Sequence, residues 1–292
     1  MQLVEKHIVK QDNEHYKELD NLCFLSKNLY NATLYAVRQH YFNTKEYLNY
    51  NAVNKKFTDE SQPDYCALPR KVSKCVQQLV DKNFKSFFTL LKKKNNNKYN
   101  KSVHIPKYLH KETGRQVLTY TKQALSFKKV GFVKLSQTNI FIQTSKQNIN
   151  CVRVVPKNGY IVVEVVYTVA DVEPKQPNNN YASIDLGINN LVTITSNITT
   201  PIIINGKPVK SINQFYNKQV AELQSILTTR NKRTTSKRIQ ALGRIRNNKI
   251  DDYFHKSTHY IVNHLVSNNI NTLIIGYNEG WKQDINIGKQ NN

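Results

Sequence analysis

Acidic side chains are scarce in this chain: 20 Asp and Glu stand against 43 Lys and Arg in 292 residues. The formal net charge is +23 and the pI is near 9.8. Such an imbalance is the electrostatic footprint of a nucleic-acid binder. Long apolar runs are also lacking. The most apolar stretch, Tyr160 to Val169, is too short to span a bilayer and contains Glu164. The opening residues Met1-Gln-Leu-Val-Glu-Lys-His-Ile8 have no apolar signal core. The expectation is a soluble, intracellular protein with no membrane partner, cytoplasmic or nucleoid-associated if the host is bacterial. Cysteine is sparse: Cys23, Cys66, Cys75 and Cys151 lie far apart without a Cys-x-x-Cys pair, so neither a zinc site nor a disulfide framework is visible.

What is present is most telling at Tyr181-Ala-Ser-Ile-Asp-Leu-Gly-Ile188, where Asp185 sits inside an apolar run with Gly187 two residues later. The run reads as a buried strand, and an ionised carboxylate there needs a partner or a metal. Gly187 allows a sharp turn or the close approach of a ligand. A carboxylate on a sheet with an open approach suits a Mg2+-dependent phosphodiester nuclease. An Asp-x-Gly turn between two strands is the alternative.

Around that segment the expected order is as follows. A strand opens the chain at Gln2 to Val9, within residues 1–14. Residues 15–100 form a helical region. Its first helix, about Tyr16 to Phe42, has an apolar stripe of Leu22, Leu25, Leu29, Ala32 and Ala36. The opposite face carries Lys27, Tyr30, Tyr35, Arg38 and Tyr41. Basic groups interleaved with aromatics suit phosphate contact and base stacking, with Lys27, Tyr30 and Arg38 as candidates; half-burial of the tyrosines against another helix is the alternative. A second helix starts near Leu68-Pro69.

Residues 101–170 read as short strands suggesting a small antiparallel barrel, clearest in the hairpin joined by Pro156-Lys-Asn-Gly159. A linker spans 171–180, and 181–292 holds three antiparallel strands, then helices. Thr272-Leu-Ile-Ile275 reads as a further, buried strand. Within the helical part, Arg230, Lys232, Arg233, Lys237, Arg238, Arg244, Arg246 and Lys249 are eight basic residues, with no acid between Glu222 and Asp251. They form a surface that can neutralise phosphates without reading sequence; a solvated charged face is the alternative.

Seven motifs in order carry a resemblance. They are Leu25-Ser-Lys-Asn-Leu-Tyr-Asn-Ala32, Leu68-Pro-Arg-Lys-Val72, Lys85-Ser-Phe-Phe88, Ile105-Pro-Lys-Tyr108, Ile184-Asp-Leu-Gly-Ile188, Phe254-His-Lys-Ser257 and Gly276-Tyr-Asn-Glu-Gly-Trp-Lys-Gln283. Together they resemble the TnpB (OrfB) proteins of insertion sequences, relatives of the compact type V CRISPR effectors. The resemblance implies an α+β multidomain protein: an N-terminal helical recognition region, an antiparallel wedge-type β-barrel and an RNase H-like (RuvC-type) nuclease domain. It implies RNA-guided, Mg2+-dependent DNA cleavage, with guide RNA and target DNA as partners.

By that resemblance Asp185 is the first catalytic and metal-binding carboxylate. The family's second carboxylate falls where this chain has Gly276, so Glu279 is the candidate in its place, with Asp284 as a substitute and a plain loop glutamate as the alternative. Up to Asn292 the chain has neither the family's four-cysteine ribbon nor its third carboxylate. The expectation is a nuclease domain lacking its C-terminal part and impaired in catalysis when alone. A non-catalytic RNA- or DNA-binding module, or a decayed transposase remnant, is the alternative.

Overall fold

The computed structural model describes residues 1–173, 176, 178–231 and 233–277. Among them, six α-helices and eleven strands make a mixed α/β chain. It divides into two compact units, Met1–Asp171 and Val172–Asn292.

The first unit is built on a helix, α1 (Tyr16–Thr44), that is buried over a wide arc because α4 (Arg70–Asn95) and strands β6 (Ile149–Lys157) and β7 (Tyr160–Thr168) all pack on it. Its buried residues are Leu19, Cys23, Ser26, Lys27, Leu29, Tyr30, Thr33, Leu34 and Val37, a broad face rather than a single stripe. Of the expected stripe, Leu29 is fully buried, whereas Leu22, Leu25, Ala32 and Ala36 are half-buried. The covered arc is wider than that stripe, because Ser26, Lys27 and Thr33 are buried together with Leu19, Leu29 and Leu34. Two short helices, α2 (Tyr50–Asp59) and α3 (Pro63–Cys66), join α1 to α4. On α4 the apolar residues Val72, Val76, Val80 and Phe84 repeat at every fourth position and are buried.

Four strands form one antiparallel sheet in the order β1-β7-β6-β2, with β1 at Gln2–Lys10 and β2 at Leu118–Thr121. The β6–β7 hairpin turns through Asn158-Gly159, and Gly159 has φ +86°, which glycine adopts without strain. A separate three-stranded antiparallel sheet holds β3 (Leu125–Ser126), β4 (Phe132–Leu135) and β5 (Phe141–Gln143).

In the second unit the sheet order is β10-β9-β8-β11, with β8 at Tyr181–Leu186, β9 at Asn190–Ser196, β10 at Ile202–Asn205 and β11 at Thr272–Ile275. The first three strands are antiparallel, whereas β11 runs parallel to β8. Between β10 and β11 come α5 (Lys207–Asn231) and α6 (Lys237–Ser267). Ala182, Ile184, Val192 and Ile194 on one face of the sheet pack with Ile261 and Leu265 of α6 and with Ile270.

Three expectations change here. Pro201 to Lys210 reads in sequence as a strand folding back around Asn205-Gly206, but the segment from Lys207 onward is helix. Asn205 Oδ1 accepts from Lys207 N–H at 2.9 Å, and Pro208 stands in the first turn, where it is tolerated. The basic run with Ile239, Leu242 and Ile245 and the run Tyr253 to Val266, which read in sequence as two helices, are one 31-residue helix, started by Ser236 Oγ accepting from Ile239 N–H at 3.3 Å. Strand β11 is exposed rather than buried, and among the described residues β8 is its one hydrogen-bonded neighbour.

Candidate nuclease edge and nucleic-acid surfaces

The alternation of strand β8 decides where Asp185 points. Ala182 and Ile184 are buried, whereas Tyr181 and Asp185 are exposed, so the strand is covered on one face alone. This corrects the reading of Asp185 as a carboxylate within a buried strand: neighbours in sequence are apolar, but they face the other way. Asp185 stands opposite Thr193 of β9, and Ser183 stands opposite Thr195, with 2.6 Å between their hydroxyl oxygens. The result is a small polar face of one carboxylate and three hydroxyls. Gly187 is needed for the turn itself, since a Cβ there would lie 2.7 Å from the Asn190 carbonyl oxygen.

Parallel pairing brings the C-terminal ends of β8 and β11 to the same edge, about 4.8 Å apart. Ile275 stands opposite Ile184, and Gly276 N–H donates to the Ile184 carbonyl at 3.2 Å. Gly276 thus lies beside Ile184, the residue that precedes Asp185. Glu279 and Asp284 lie outside the described residues. Among the described residues no group of three His, Cys, Asp or Glu side chains could hold a metal ion.

The basic candidates differ in placement. Arg230, Arg233, Lys237 and Arg238 are exposed around the α5–α6 connection; Lys232 lies outside the described residues. Arg244 is half-buried. Arg246 is tied down: its Nε donates to Asn213 Oδ1 at 2.8 Å, and its guanidinium lies 5.8 Å from the Tyr216 ring centre.

On α1 two candidates turn inward. Lys27 is 2% exposed, donates from Nζ to the Lys111 carbonyl at 2.5 Å and stands 3.9 Å over the Phe24 ring. Burial lowers its pKa, and the neighbouring Arg115 acts in the same direction. Tyr30 is buried, and its hydroxyl accepts from Asn83 Nδ2 at 3.0 Å. The expectation that both face outward is corrected: the packed arc of α1 is wide enough to include them. Arg38 is half-buried and stacks over Tyr108 at 4.8 Å.

A cleft of about 500 Å3 in the first unit has no counterpart among the sequence expectations. Its lining includes Tyr50, Lys71, Lys74, Gln78, Thr121 and Lys122. Lys71, Lys74 and Gln78 share one face of α4 at spacings of three and four, a signal present in the sequence. Lys122 and Thr121 arrive from β2 and its following turn, which no local pattern announces. Three lysines with hydroxyl and amide groups can take an anionic, hydrogen-bonding ligand.

Residues 164–282 match the family OrfB_IS605, described as a probable transposase. No curated protein matches the chain. Among solved structures, a Cas12f1-sgRNA-target DNA complex shows 14% identity over 96% of this chain and 75% of that one, at a TM-score of 0.32. A CRISPR-Cas12f ternary complex shows 10% identity over 94% of this chain and 67% of that one, also at 0.32. Those scores are too low to support an argument about fold or partner. The matched segment runs from β7 through the Asp185 sheet and both helices that follow, and over it the chain is similar to that family of probable transposases.

Proposed function

We propose that this chain is a TnpB-like nucleic-acid-binding protein whose second unit is an RNase H-like, RuvC-type domain, with guide RNA and target DNA as its partners. The single observation behind this reading is the strand order β10-β9-β8-β11, with Asp185 near the end of β8 and β11 parallel beside it. That order lets a carboxylate following β11 stand next to one on β8, the convergence a two-metal phosphodiester site needs. The two sheets of the first unit take the part of the wedge-type barrel, and α1 to α4 that of the recognition region.

The donor chemistry fits Mg2+ only in part. Asp185 offers the hard oxygen that Mg2+ prefers, but one carboxylate with three hydroxyls does not hold the ion, which needs near-octahedral oxygen ligation. Glu279, or Asp284, would have to complete the set. No catalytic step follows from the described residues alone. They favour the second reading equally well, a module that binds nucleic acid without cutting it. There Arg230, Arg233, Lys237, Arg238 and Arg244 neutralise backbone phosphates.

The test pairs binding with cutting. The chain, co-expressed with the transposon-end RNA, is assayed for bound RNA and for Mg2+-dependent cleavage of plasmid DNA, beside Asp185→Ala and Glu279→Gln. Cleavage lost in both variants with binding retained supports the nuclease. Binding without cleavage in any of them supports the non-catalytic module. Cleavage unchanged by Asp185→Ala removes the RuvC-type reading.

A further inference from the structure

We infer that the outward face of the β3-β4-β5 sheet is a stacking platform for unpaired bases of a nucleic-acid strand. Alternation divides this sheet cleanly: Val133, Leu135 and Ile142 are buried, whereas Phe132, Lys134, Phe141 and Gln143 face outward. Lys134 stands opposite Phe141 and Phe132 opposite Gln143, so rings and polar groups alternate across the face. Lys129 Nζ lies 4.2 Å from the centre of the Phe132 ring and 5.7 Å from that of Phe141. Lys134 Nζ lies 5.3 Å from the centre of Phe141. At the β3–β4 tip Phe127 is 45% and Val130 96% exposed, beside Lys128.

Charge selects the occupant. From Thr113 to Val163 there are eight basic residues and no acidic one, so the lysines of this face have no carboxylate from the surrounding sequence. Exposed rings held between ammonium groups match a ligand that is both flat and anionic. Unpaired nucleotides are that ligand: every base has a π-face, and every link carries a phosphate. A paired duplex hides its base faces and would use the lysines alone.

This inference rests on the nucleic-acid reading above, and its test separates the two. The full chain is titrated with single strands of about 12 nucleotides, a length within the site sizes of single-strand binders. Oligouridine RNA, oligothymidine DNA, an abasic strand of equal charge and a duplex are compared. The variant is Phe127→Leu with Phe141→Leu, two exposed positions, its folding checked by melting temperature. The expected result is about tenfold tighter binding of base-bearing than abasic strands, lost in the variant while duplex affinity stays unchanged. Whichever of the RNA and DNA arms shows the larger ratio names the strand. Equal binding of abasic and base-bearing strands, or a preference that survives in the variant, overturns the platform and leaves the nucleic-acid reading standing. No binding to any of the four overturns both. Binding of an acidic peptide in preference to all four overturns the platform in favour of a protein partner.

Discussion

Gly276 donates its backbone N–H to the Ile184 carbonyl at 3.2 Å, so the chain leaves β11 alongside the residue that precedes Asp185. This hydrogen bond, rather than any sequence spacing, places the end of the last described strand next to the candidate carboxylate. Asp185 itself is exposed on the uncovered face of its sheet. Asp185→Ala should therefore alter stability by no more than about 0.5 kcal/mol, the range of ordinary surface substitutions. A thermal melt that drops well beyond this would mean the carboxylate holds the sheet together rather than serving chemistry.

The exposed cluster Arg233, Lys237 and Arg238 carries a second prediction. Replacing all three by Gln should weaken binding uniformly across sequences. It should also lower the slope of log affinity against log salt by about 0.9 for each duplex DNA phosphate that is no longer neutralised. Titrations at several salt concentrations read this slope directly. An unchanged slope would leave these residues as a solvated face. Arg246, held by Asn213, should contribute less to the slope and more to the packing of α6 on α5.

Asp81 is buried, and burial alone would raise its pKa. Lys85 at 2.7 Å, the Tyr47 hydroxyl at 2.6 Å and the Tyr50 N–H at 3.1 Å together outweigh that and hold it below the usual carboxylate value. A folded-state pKa depressed in this way adds stability above the unfolded value of about 3.9, and the contribution is lost as pH falls through the folded value. Melting temperatures measured below about pH 4 should fall more steeply in the wild type than in Asp81→Asn. At neutral pH the variant should be less stable by about 1–3 kcal/mol, since donors around a buried carboxylate lose their charged acceptor. Parallel pH profiles for the two proteins would refute this account.

Gly206 lies where β10 turns into α5, and a Cβ added there would fall 2.0 Å from the Ile188 carbonyl oxygen. That clash is with backbone, which cannot swing aside as a side chain can. Gly206→Ala should destabilise the second unit by about 1–3 kcal/mol, as forced overpacking does elsewhere. Denaturant unfolding measures it, and a neutral result would show that the β8–β9 turn shifts freely.

The chain shows which features are locally encoded. The β6–β7 hairpin is legible because Asn158-Gly159 imposes its turn through backbone preference alone. The start of α5 is harder to read although Pro208 signals a helix N-terminus, because Ile202-Ile-Ile204 pulls the pattern toward strand. Helix α6 looks like two helices in sequence because Gly243 and Asn247-Asn248 interrupt its apolar spacing, yet none of them breaks the hydrogen-bonded turn. Helix α2 starts at an Asn, a favoured capping residue, with Asn49 Oδ1 accepting from Ala52 N–H at 3.1 Å.

Composition and local pattern by themselves determined the basic character of the protein, most of its strands and helices, and Asp185 as the acid to watch. These depend on charge count, backbone propensity and short-range spacing, all written in consecutive residues. Tertiary structure decided which side chains meet solvent. It turned Lys27 and Tyr30 inward because two layers pack on α1, and turned Asp185 outward because α6 covers the opposite face of its sheet. It also set β11 parallel to β8, a pairing between residues far apart in the chain. The exposure of a face is a property of what packs against it, and that partner is never in the same stretch of sequence.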